Sequence, residues 1–368
     1  MIKIAFLIHD LMGGGAEKVL VNMVNNMNPE KYDITVVTLF DEGIHKKNLA
    51  PHIHYKSFLK KSFNGNKYFF RLLSPEFWYK KVFAKEKYDI VVSYLEGTCA
   101  RIASGCRDAK KVVWIHRERD EYGYKVCFKS KQEADEAYSS FDKIVCVAQS
   151  LKDNFSKLCP AFDDAEVLYN VNETDKIILM SKEDVEESYL FEDNVPVISF
   201  IGKIIKEKGI YRLVDIHKKL NEKNIPHRFC VMGVGEDEEN VKQLLKESGS
   251  EKNFVFMGFC RNPYKYLARS DMFVCASYAE GFSTAATEAL VLGVPAVVAD
   301  CSGMKEMFGD SEYGIITENS DDALYEGMEK MLTDKELRLN YKKQAELRGK
   351  DFSMERSLAK IEEFFDTL

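Results

Sequence analysis

The stretch that decides the fold is Glu280-Gly281-Phe282-Ser283-Thr284-Ala285-Ala286-Thr287-Glu288-Ala289-Leu290. The apolar run Met272–Ala276 precedes it, and Gly293-Val294-Pro295 follows it. This order predicts a buried strand, a glycine turn and a helix that ends before the proline. Seven residues separate its two carboxylates, so the first would lie on the turn and the second one to two turns inside the helix.

The amides of Gly281, Phe282, Ser283 and Thr284 would lie at the start of this helix. Free N–H groups and the helix dipole favour an anion there, such as a diphosphate. Two carboxylates nearby could accept hydrogen bonds from sugar hydroxyls, one set on a ribose and the other on a hexose. The pattern therefore indicates a nucleotide-sugar site, whereas the alternative interpretation is a loop charge followed by a helix-surface charge.

Short apolar runs alternate with helical patterns along the whole chain, which predicts parallel sheets covered by helices on both faces. The runs are Ile2–Ile8, Ile34–Leu39, Ile90–Tyr94, Lys111–Ile115, Ile144–Ala148, Val197–Ile201, Arg228–Met232, Asn253–Met257, Met272–Ala276 and Ala296–Ala299. A length of 368 residues predicts two domains. We expect two doubly wound α/β units, joined through residues 170–175 and the charged stretch Ser181–Asn194.

Composition limits the class of protein. With 45% hydrophobic and 30% charged residues, the chain is predicted to be an ordinary soluble globular protein. The net charge of −7 divides into +2 for residues 1–175 and −9 for residues 176–368, which argues against a general nucleic-acid binder. Nine scattered cysteines, including Cys159, predict reduced thiols and a cytoplasmic location, and no apolar run is long enough to cross a bilayer.

Basic and aromatic side chains are concentrated in His54–Lys87. This segment holds nine Lys or Arg residues against two Glu, together with ten aromatic residues. Such a mixture suits an anionic membrane surface, where rings lie at the level of the lipid headgroups. The alternative is a solvated helix that covers the core with its aromatic side chains.

A glycine triplet, Gly13-Gly14-Gly15, follows the first apolar run and opens a helical pattern. Glycines there allow close approach of a phosphate to the backbone. The dinucleotide-binding pattern GxGxxG would need glycine at position 18, which is Lys18, and no GxxxxGK[ST] motif occurs. By itself the triplet is as compatible with a plain turn as with a ligand-binding loop.

Together these motifs resemble the retaining GT-B glycosyltransferases of family 4, whose E-x7-E signature is matched by residues 280–288. The similarity extends over nearly the whole chain, because residues 13–17 resemble that family's glycine-rich loop and residues 202–209 its G-R-x4-K-G segment. It implies two Rossmann-like doubly wound domains facing across a cleft. Residues 1–172 would bind the acceptor, residues 173–350 the nucleotide sugar, and residues 351–368 would cross back to the first domain.

The resemblance also assigns roles to single residues. Lys203 and Lys208 correspond to the cations that hold the donor diphosphate, although Lys203 stands where the family usually has Arg, which replaces a bidentate fork by a point charge. Glu280 would orient the hexose, Glu288 the ribose, and His116, at the end of an apolar run, would contact the donor sugar. Gly14, Gly15 and the Gly281–Thr284 turn would approach the phosphates, and Phe259 the base.

The activity implied is transfer of a hexosyl group from a nucleoside-diphosphate sugar, expected to be a UDP-sugar, to a saccharide or polyprenyl-linked acceptor in polysaccharide biosynthesis. No cofactor, metal or nucleic acid is expected. The protein could associate with the inner face of the plasma membrane through residues 54–87. Two alternatives remain: a nucleotide-sugar 2-epimerase of GT-B type and a non-catalytic sugar-nucleotide-binding protein.

Overall fold

The computed structural model describes residues 1–84, 86–117, 126–157 and 164–368, and these form two compact units. The first unit comprises Met1–Val171 together with Glu355–Leu368, and the second comprises Asn172–Met354. The chain therefore passes from one unit to the other next to residue 172, where the sequence places the domain boundary.

The first unit is built on a seven-stranded parallel sheet in the order β3-β2-β1-β4-β5-β6-β7. Its strands are β1 (Ile2–Ile8), β2 (Tyr32–Phe40), β3 (His54–Leu59), β4 (Ile90–Ser93), β5 (Lys110–Ile115), β6 (Lys143–Cys146) and β7 (Glu166–Val167). β1 lies in the middle, and from Ile4 to Ile8 its side chains are completely buried. A continuous apolar strand of this kind needs helices on both faces of the sheet.

Short helices connect these strands. They are α1 (Gly15–Asn26), α2 (Asn66–Arg71), α3 (Pro75–Val82), α4 (Thr98–Ala103), α5 (Lys131–Ser139) and α6 (Gln149–Ser156), with a 3₁₀ turn at Ile44–Asn48. Ser74 caps α3 and Ser130 caps α5, each through a side-chain oxygen that accepts an N–H bond from the third helical residue.

The second unit holds a six-stranded parallel sheet in the order β10-β9-β8-β11-β12-β13. Its strands are β8 (Val197–Ile201), β9 (Arg228–Met232), β10 (Phe254–Gly258), β11 (Met272–Cys275), β12 (Ala296–Ala299) and β13 (Ile315–Thr317). Counted within this unit the order is 3-2-1-4-5-6, the Rossmann order, which leaves a switch point at the carboxyl ends of β8 and β11.

The helices of the second unit cover both faces of that sheet. They are α7 (Thr174–Ser181), α8 (Ile210–Glu222), α9 (Glu238–Glu247), α10 (Tyr264–Leu267), α11 (Thr284–Val291), α12 (Met304–Phe308), α13 (Asp321–Thr333) and α14 (Lys335–Gly349), with 3₁₀ turns at Ser188–Leu190, Lys206–Lys208 and Lys350–Phe352. One face is a single apolar core in which α8 and α13 pack on β8, β9 and β11.

The last helix, α15 (Met354–Asp366), belongs to the first unit in all but its first residue. The ring of Phe365 lies 5.9 Å from that of Phe6, and the ring of Phe364 lies 6.1 Å from that of Trp114. Polar contacts add to this packing, because the Tyr32 hydroxyl donates to Asp366. The helix therefore completes the core around β1.

Two segments differ from what the sequence predicts. His54–Lys87 is neither one helix nor one loop, because His54–Leu59 form the edge strand β3 and the two helices α2 and α3 follow it within the described residues. The stretch Ser181–Asn194 is attached to the second unit: Arg228 pairs with Asp193 and also donates to the carbonyl of Leu190. Lys85 and Cys159 lie outside the described residues. The other eight cysteines are free thiols.

In the described part of the chain, no helix combines the length and the apolar character that crossing a membrane requires.

Candidate functional site

The turn before α11 lies at the carboxyl end of β11, next to the switch point of the second sheet. Ser283 caps the helix, since its hydroxyl accepts a hydrogen bond from the amide of Ala286 at 3.3 Å. Gly303, with a φ of +79°, comes so close that a Cβ there would lie 2.7 Å from the Gly281 carbonyl oxygen. The turn is thus fixed from both sides, and Thr284 begins the helix as predicted.

Glu280 forms an ion pair with Lys208. The Lys208 Nζ donates to the Glu280 Oε1 at 2.6 Å, and the Ser277 hydroxyl donates to the same oxygen at 2.6 Å. The Lys208 side chain is 29% exposed and that of Glu280 is 12% exposed, so the pair is partly shielded from water but still reachable. Two residues that lie 72 positions apart in sequence therefore meet at one point.

Lys208 is held by the turn that follows β8. Gly209 ends this turn with a φ of +74°, and a Cβ at this position would lie 2.0 Å from the Ala276 carbonyl oxygen. The amide of Tyr278 donates to the Glu207 carbonyl at 3.0 Å. These backbone contacts join the turn carrying Lys208 directly to the loop carrying Glu280.

A buried arginine, Arg212, fastens the same loop. Its Nη1 donates to the Ala276 carbonyl at 3.0 Å and to Asn319, and its Nε donates to Asp321. Asn319 in turn donates to the Tyr278 carbonyl at 3.0 Å. Because Arg212 is 1% exposed, it acts as an internal tie rather than as a surface for ligand.

Glu288 lies on α11 one turn beyond the cap and is 3% exposed. The hydroxyl of Tyr264 donates to its Oε1 at 3.1 Å. A buried carboxylate with a fixed partner is an acceptor of defined orientation, as recognition of sugar hydroxyls requires.

Lys203 differs from Lys208 in its surroundings. It is exposed and has no ion-pair partner among the residues that the structure describes. The backbone beside it is tightly arranged, because a Cβ at Gly233 would lie 1.8 Å from the Gly202 carbonyl oxygen. Lys203 is therefore an exposed point charge at the carboxyl end of β8, whereas Lys208 is partly buried.

Phe259 directly follows β10 and is 63% exposed. The amide of Gly233 donates to the Gly258 carbonyl at 2.8 Å, which brings the ends of β9 and β10 together. Val234, the next residue after Gly233, is also exposed. Core packing, the alternative explanation for Phe259, does not apply to a side chain this exposed, and its contact with a base stays a prediction.

In the first unit, the glycine loop opens α1 as the sequence predicts. Gly14 is the capping position and Gly15 is the first helical residue. The Glu17 carboxylate folds back over the loop, so that a Cβ on Gly14 would lie 2.0 Å from its Oε2. A ligand phosphate at this helix start would share the place with that carboxylate.

His116 follows β5 and is 7% exposed. Its amide donates to Glu96 at 3.1 Å, and its ring lies 4.7 Å from that of Tyr94. Burial lowers the pKa of the His116 imidazole to about 4, against the opposing effect of Glu96. Its Nε2 is buried without a hydrogen-bond partner in the described residues.

No group of three or more His, Cys, Asp or Glu side chains that could hold a metal ion occurs within the described ranges. Metal independence stays a prediction. The Lys208 ammonium contacts Glu280, and Lys203 follows the adjoining strand β8.

With this geometry established, two comparisons of sequence assign the family. A sequence model of the group described as "Glycosyltransferase Family 4" matches residues 13–176, and one described as "Glycosyl transferases group 1" matches residues 181–348. The chain is a family 4-like glycosyltransferase. The glycosyltransferase matches these models over nearly all of both units, as the motifs predict.

A curated relative of the glycosyltransferase is the N-acetylgalactosamine-N,N'-diacetylbacillosaminyl-diphospho-undecaprenol 4-alpha-N-acetylgalactosaminyltransferase of Campylobacter jejuni. The two chains are 25% identical over 370 residues, which covers 96% of each.

Solved structures establish the GT-B fold. Anabaena HepE in complex with UDP and glucose superposes with a TM-score of 0.77 at 15% identity and covers 100% of both chains. WaaG, a glycosyltransferase involved in lipopolysaccharide biosynthesis, gives 0.77 at 15% identity over 97% of this chain and 98% of its own. The predicted fold class and the predicted hexosyltransferase activity are confirmed.

Three residues around the glycosyltransferase site were missed from the sequence: Ser277, Arg212 and Tyr264. Arg212 did carry a signal, because it lies on the apolar face of α8 between Ile210 and Leu213. A charge at such a position usually has a buried partner. Ser277 and Tyr264 show no comparable pattern. Only the folded course of the chain brings Ser277 to Glu280 and Tyr264 to Glu288.

Proposed function

We propose that this glycosyltransferase moves a hexosyl group from a UDP-sugar to a polyprenyl-linked saccharide, with retention of anomeric configuration. The observation that carries the donor half of this proposal is the Lys208–Glu280 pair beside the first turn of α11. It combines a cation for a diphosphate with a carboxylate for sugar hydroxyls. UDP as the nucleotide is supported by the HepE complex with UDP and glucose.

The donor diphosphate is the leaving group. Lys208, Lys203 and the amide of Thr284 offer positive charge and N–H donors to it. The bond between the anomeric carbon and the diphosphate oxygen breaks, and the diphosphate takes the electron pair. The acceptor hydroxyl oxygen bonds to the same face of the sugar, and its proton passes to the departing phosphate oxygen. No separate base and no metal are needed in this scheme.

Sugar recognition is divided between two carboxylates. Glu280 orients the hexose hydroxyls and Glu288 the ribose, while Phe259 lies against the base. In the first unit, Gly14 and Gly15 act toward the diphosphate and His116 toward the donor sugar. Because burial keeps the pKa of His116 near 4, this residue acts as a neutral hydrogen-bonding group rather than as a cation at pH 7.

The acceptor half rests on the Campylobacter relative, whose name specifies a diphospho-undecaprenol-linked saccharide. Such an acceptor lies in a membrane, and the first unit presents a fitting surface, here called the basic aromatic surface. Its exposed apolar side chains are Phe63, Tyr68, Leu72, Leu73 and Phe77. Its cations are Lys60, Lys61, Lys67, Arg71, Lys80 and Lys81.

The basic aromatic surface has a rigid base. Arg101 is fully buried beneath it and donates to the carbonyls of Phe70 and Leu73 at 2.5 and 2.9 Å, while Glu133 balances its charge. Phe70 and Trp78 pack inward with their rings 5.0 Å apart. The apolar residues on the outer side therefore stay exposed. Aromatic and cationic side chains together suit an anionic lipid surface.

The deciding experiment incubates the purified protein with radiolabelled UDP-glucose, UDP-galactose, UDP-N-acetylglucosamine or UDP-N-acetylgalactosamine, with and without polyprenyl-diphosphate saccharides. We expect acceptor-dependent release of UDP, an unchanged rate in EDTA, and an α-linked product by NMR. An epimerised nucleotide sugar formed without acceptor would identify the 2-epimerase instead. Binding of UDP without any turnover would identify a sugar-nucleotide-binding protein.

A further inference from the structure

Glu288 has a hydrogen-bond partner, Tyr264, that has no role in the transfer step itself. Tyr264 is 6% exposed and Glu288 is 3% exposed, and the phenol hydroxyl donates to one carboxylate oxygen at 3.1 Å. A carboxylate rotates easily about its last torsion, because the bond between sp³ and sp² carbons has a broad energy well. A hydrogen bond to one oxygen removes that freedom.

The phenol is itself fixed by the backbone that precedes it. The amide of Tyr264 donates to the Asn262 Oδ1 at 3.1 Å, and the residue between them is Pro263, whose ring fixes its backbone φ angle. The Asn262 Nδ2 donates to the Met180 carbonyl at 2.8 Å and to Glu183 at 2.9 Å. The start of α10 is thus tied to the end of α7, and the Tyr264 hydroxyl has a defined position.

We propose that Tyr264 is a positioning residue that determines the specificity for ribose over deoxyribose in the donor. It holds Oε1 of Glu288, so that the carboxylate meets the ribose hydroxyls in one orientation. A site built to bond a hydroxyl discriminates strongly against the analogue that lacks it, provided that its own group is held in place. This inference rests on the proposed assignment of Glu288 to the ribose.

The test is calorimetric titration of the full chain with nucleoside diphosphates. UDP, ADP and GDP are titrated first, and the diphosphate that binds is then compared with its 2′-deoxy and 3′-deoxy analogues. The variants are Y264F, which loses only the hydroxyl, and the matched control Y266F. Tyr266 is two residues further on and 5% exposed, and its hydroxyl donates to Glu186 and Glu187 instead. Thermal melts establish that all variants are folded.

We expect Y264F to weaken binding of the ribonucleotide about tenfold, the scale of one hydrogen bond to a charged group. For at least one deoxy analogue, Y264F should change the affinity less than twofold, because that analogue lacks the hydroxyl that Glu288 binds in the ribonucleotide. Y266F should match the wild type on every ligand.

The proposal on Tyr264 is overturned if Y264F binds the ribonucleotide as the wild type does. It is also overturned if Y264F loses the same factor in affinity for the ribonucleotide and for both deoxy analogues, since the loss of a purely structural residue would have that effect. Failure of the proposed function gives a different result. The wild-type protein would then bind the ribonucleotide and its deoxy analogues equally well, or it would bind none of UDP, ADP and GDP. Either result would remove Glu288 from the ribose and the role of Tyr264 with it.

Discussion

The Lys208 Nζ lies 2.6 Å from the Glu280 Oε1, so the cation of the donor site is already neutralised before any nucleotide arrives. Glu280 keeps its second hydrogen bond, from Ser277, to the same oxygen. A diphosphate that approaches Lys208 must therefore share the ammonium with a carboxylate that has another partner. This sharing holds the Glu280 carboxylate in place for the sugar.

We expect K208A to lower kcat/KM at least tenfold, which corresponds to about 1.4 kcal/mol of transition-state stabilisation. The change removes the cation and leaves the Glu280 carboxylate, with 12% exposure, without a counter-ion. Initial rates at varied donor concentration measure the effect. The control is K206A, which removes an exposed cation of the same turn. Turnover of K208A near the wild-type rate would remove Lys208 from the site.

For Glu288 we expect E288Q to lower kcat/KM for the donor at least tenfold, again about 1.4 kcal/mol. An amide offers one acceptor in place of two oxygens and faces the Tyr264 hydroxyl or the ligand with an N–H₂ group. Steady-state kinetics at saturating acceptor separate the donor KM from kcat. The exposed Glu326 on α13 provides a control, E326Q, and equal kcat/KM values for the donor in the two variants would contradict the prediction.

G209A tests the junction between the two site loops. The added Cβ would lie 2.0 Å from the Ala276 carbonyl oxygen, a backbone atom that is itself held by Arg212. The matched control is G249A, which has a similar φ of +62° but open space around the added carbon. Positive φ alone costs about 1–2 kcal/mol.

Urea unfolding and donor turnover should thus show a modest loss of stability for G249A and a larger loss, with loss of transfer, for G209A. Equal midpoints of unfolding for the two variants would contradict the close approach.

Stability should fall as the pH is lowered from 6.5 to 4. The unfolded chain protonates His116 near pH 6.5, whereas burial lowers the folded pKa to about 4. The unfolded state therefore binds more protons in this window, so the contribution of His116 is complete above pH 6.5 and is lost as the pH approaches 4. His217 acts in the same direction, since burial lowers its pKa to about 4 as well.

Urea midpoints at pH 7.5, 6 and 5 measure this dependence. H116N should reduce the slope without abolishing it, because His217 remains, and H52N at an exposed site is the control. A slope in H116N equal to that of the wild type would show that His116 is not buried in neutral form.

Membrane binding is tested on the basic aromatic surface. Changing Lys60, Lys61, Lys80 and Lys81 to serine should abolish sedimentation with anionic liposomes at low salt, since each cation near such a surface contributes about 1 kcal/mol. The control removes four exposed lysines of the second unit: Lys335, Lys342, Lys343 and Lys350. If the first variant still sediments, or if the wild type never does, the surface has another use.

Much of the architecture could be predicted from the sequence because burial on both faces leaves a simple trace. The strands of the second sheet are short apolar runs, and all five runs predicted for it begin and end within one residue of a strand. β3 was missed for the same reason in reverse: it is an edge strand with no fully buried residue, so His54–Leu59 carries no apolar run.

The site was predictable only as far as each residue belongs to a local motif. Glu280, Glu288 and Lys208 lie in such motifs, and the turn of α11 has the predicted form. The contacts that fix them come from Ser277, Tyr264 and Asn319, which have no local pattern toward the site. They come also from Arg212, whose place on an apolar helix face signals a buried partner but not which one. Their roles follow from the order of the strands, which places distant loops side by side at one edge of a sheet.

The attachment of α15 also has a consequence for how the chain is made. A ribosome releases residues 1–171 first, whereas Phe364 and Phe365, which pack against Trp114 and Phe6, emerge only after the whole of the second unit. Domains that are contiguous in sequence can fold as they emerge. Here the first unit must wait, with its central strand incompletely covered, until the whole of the second has been synthesised.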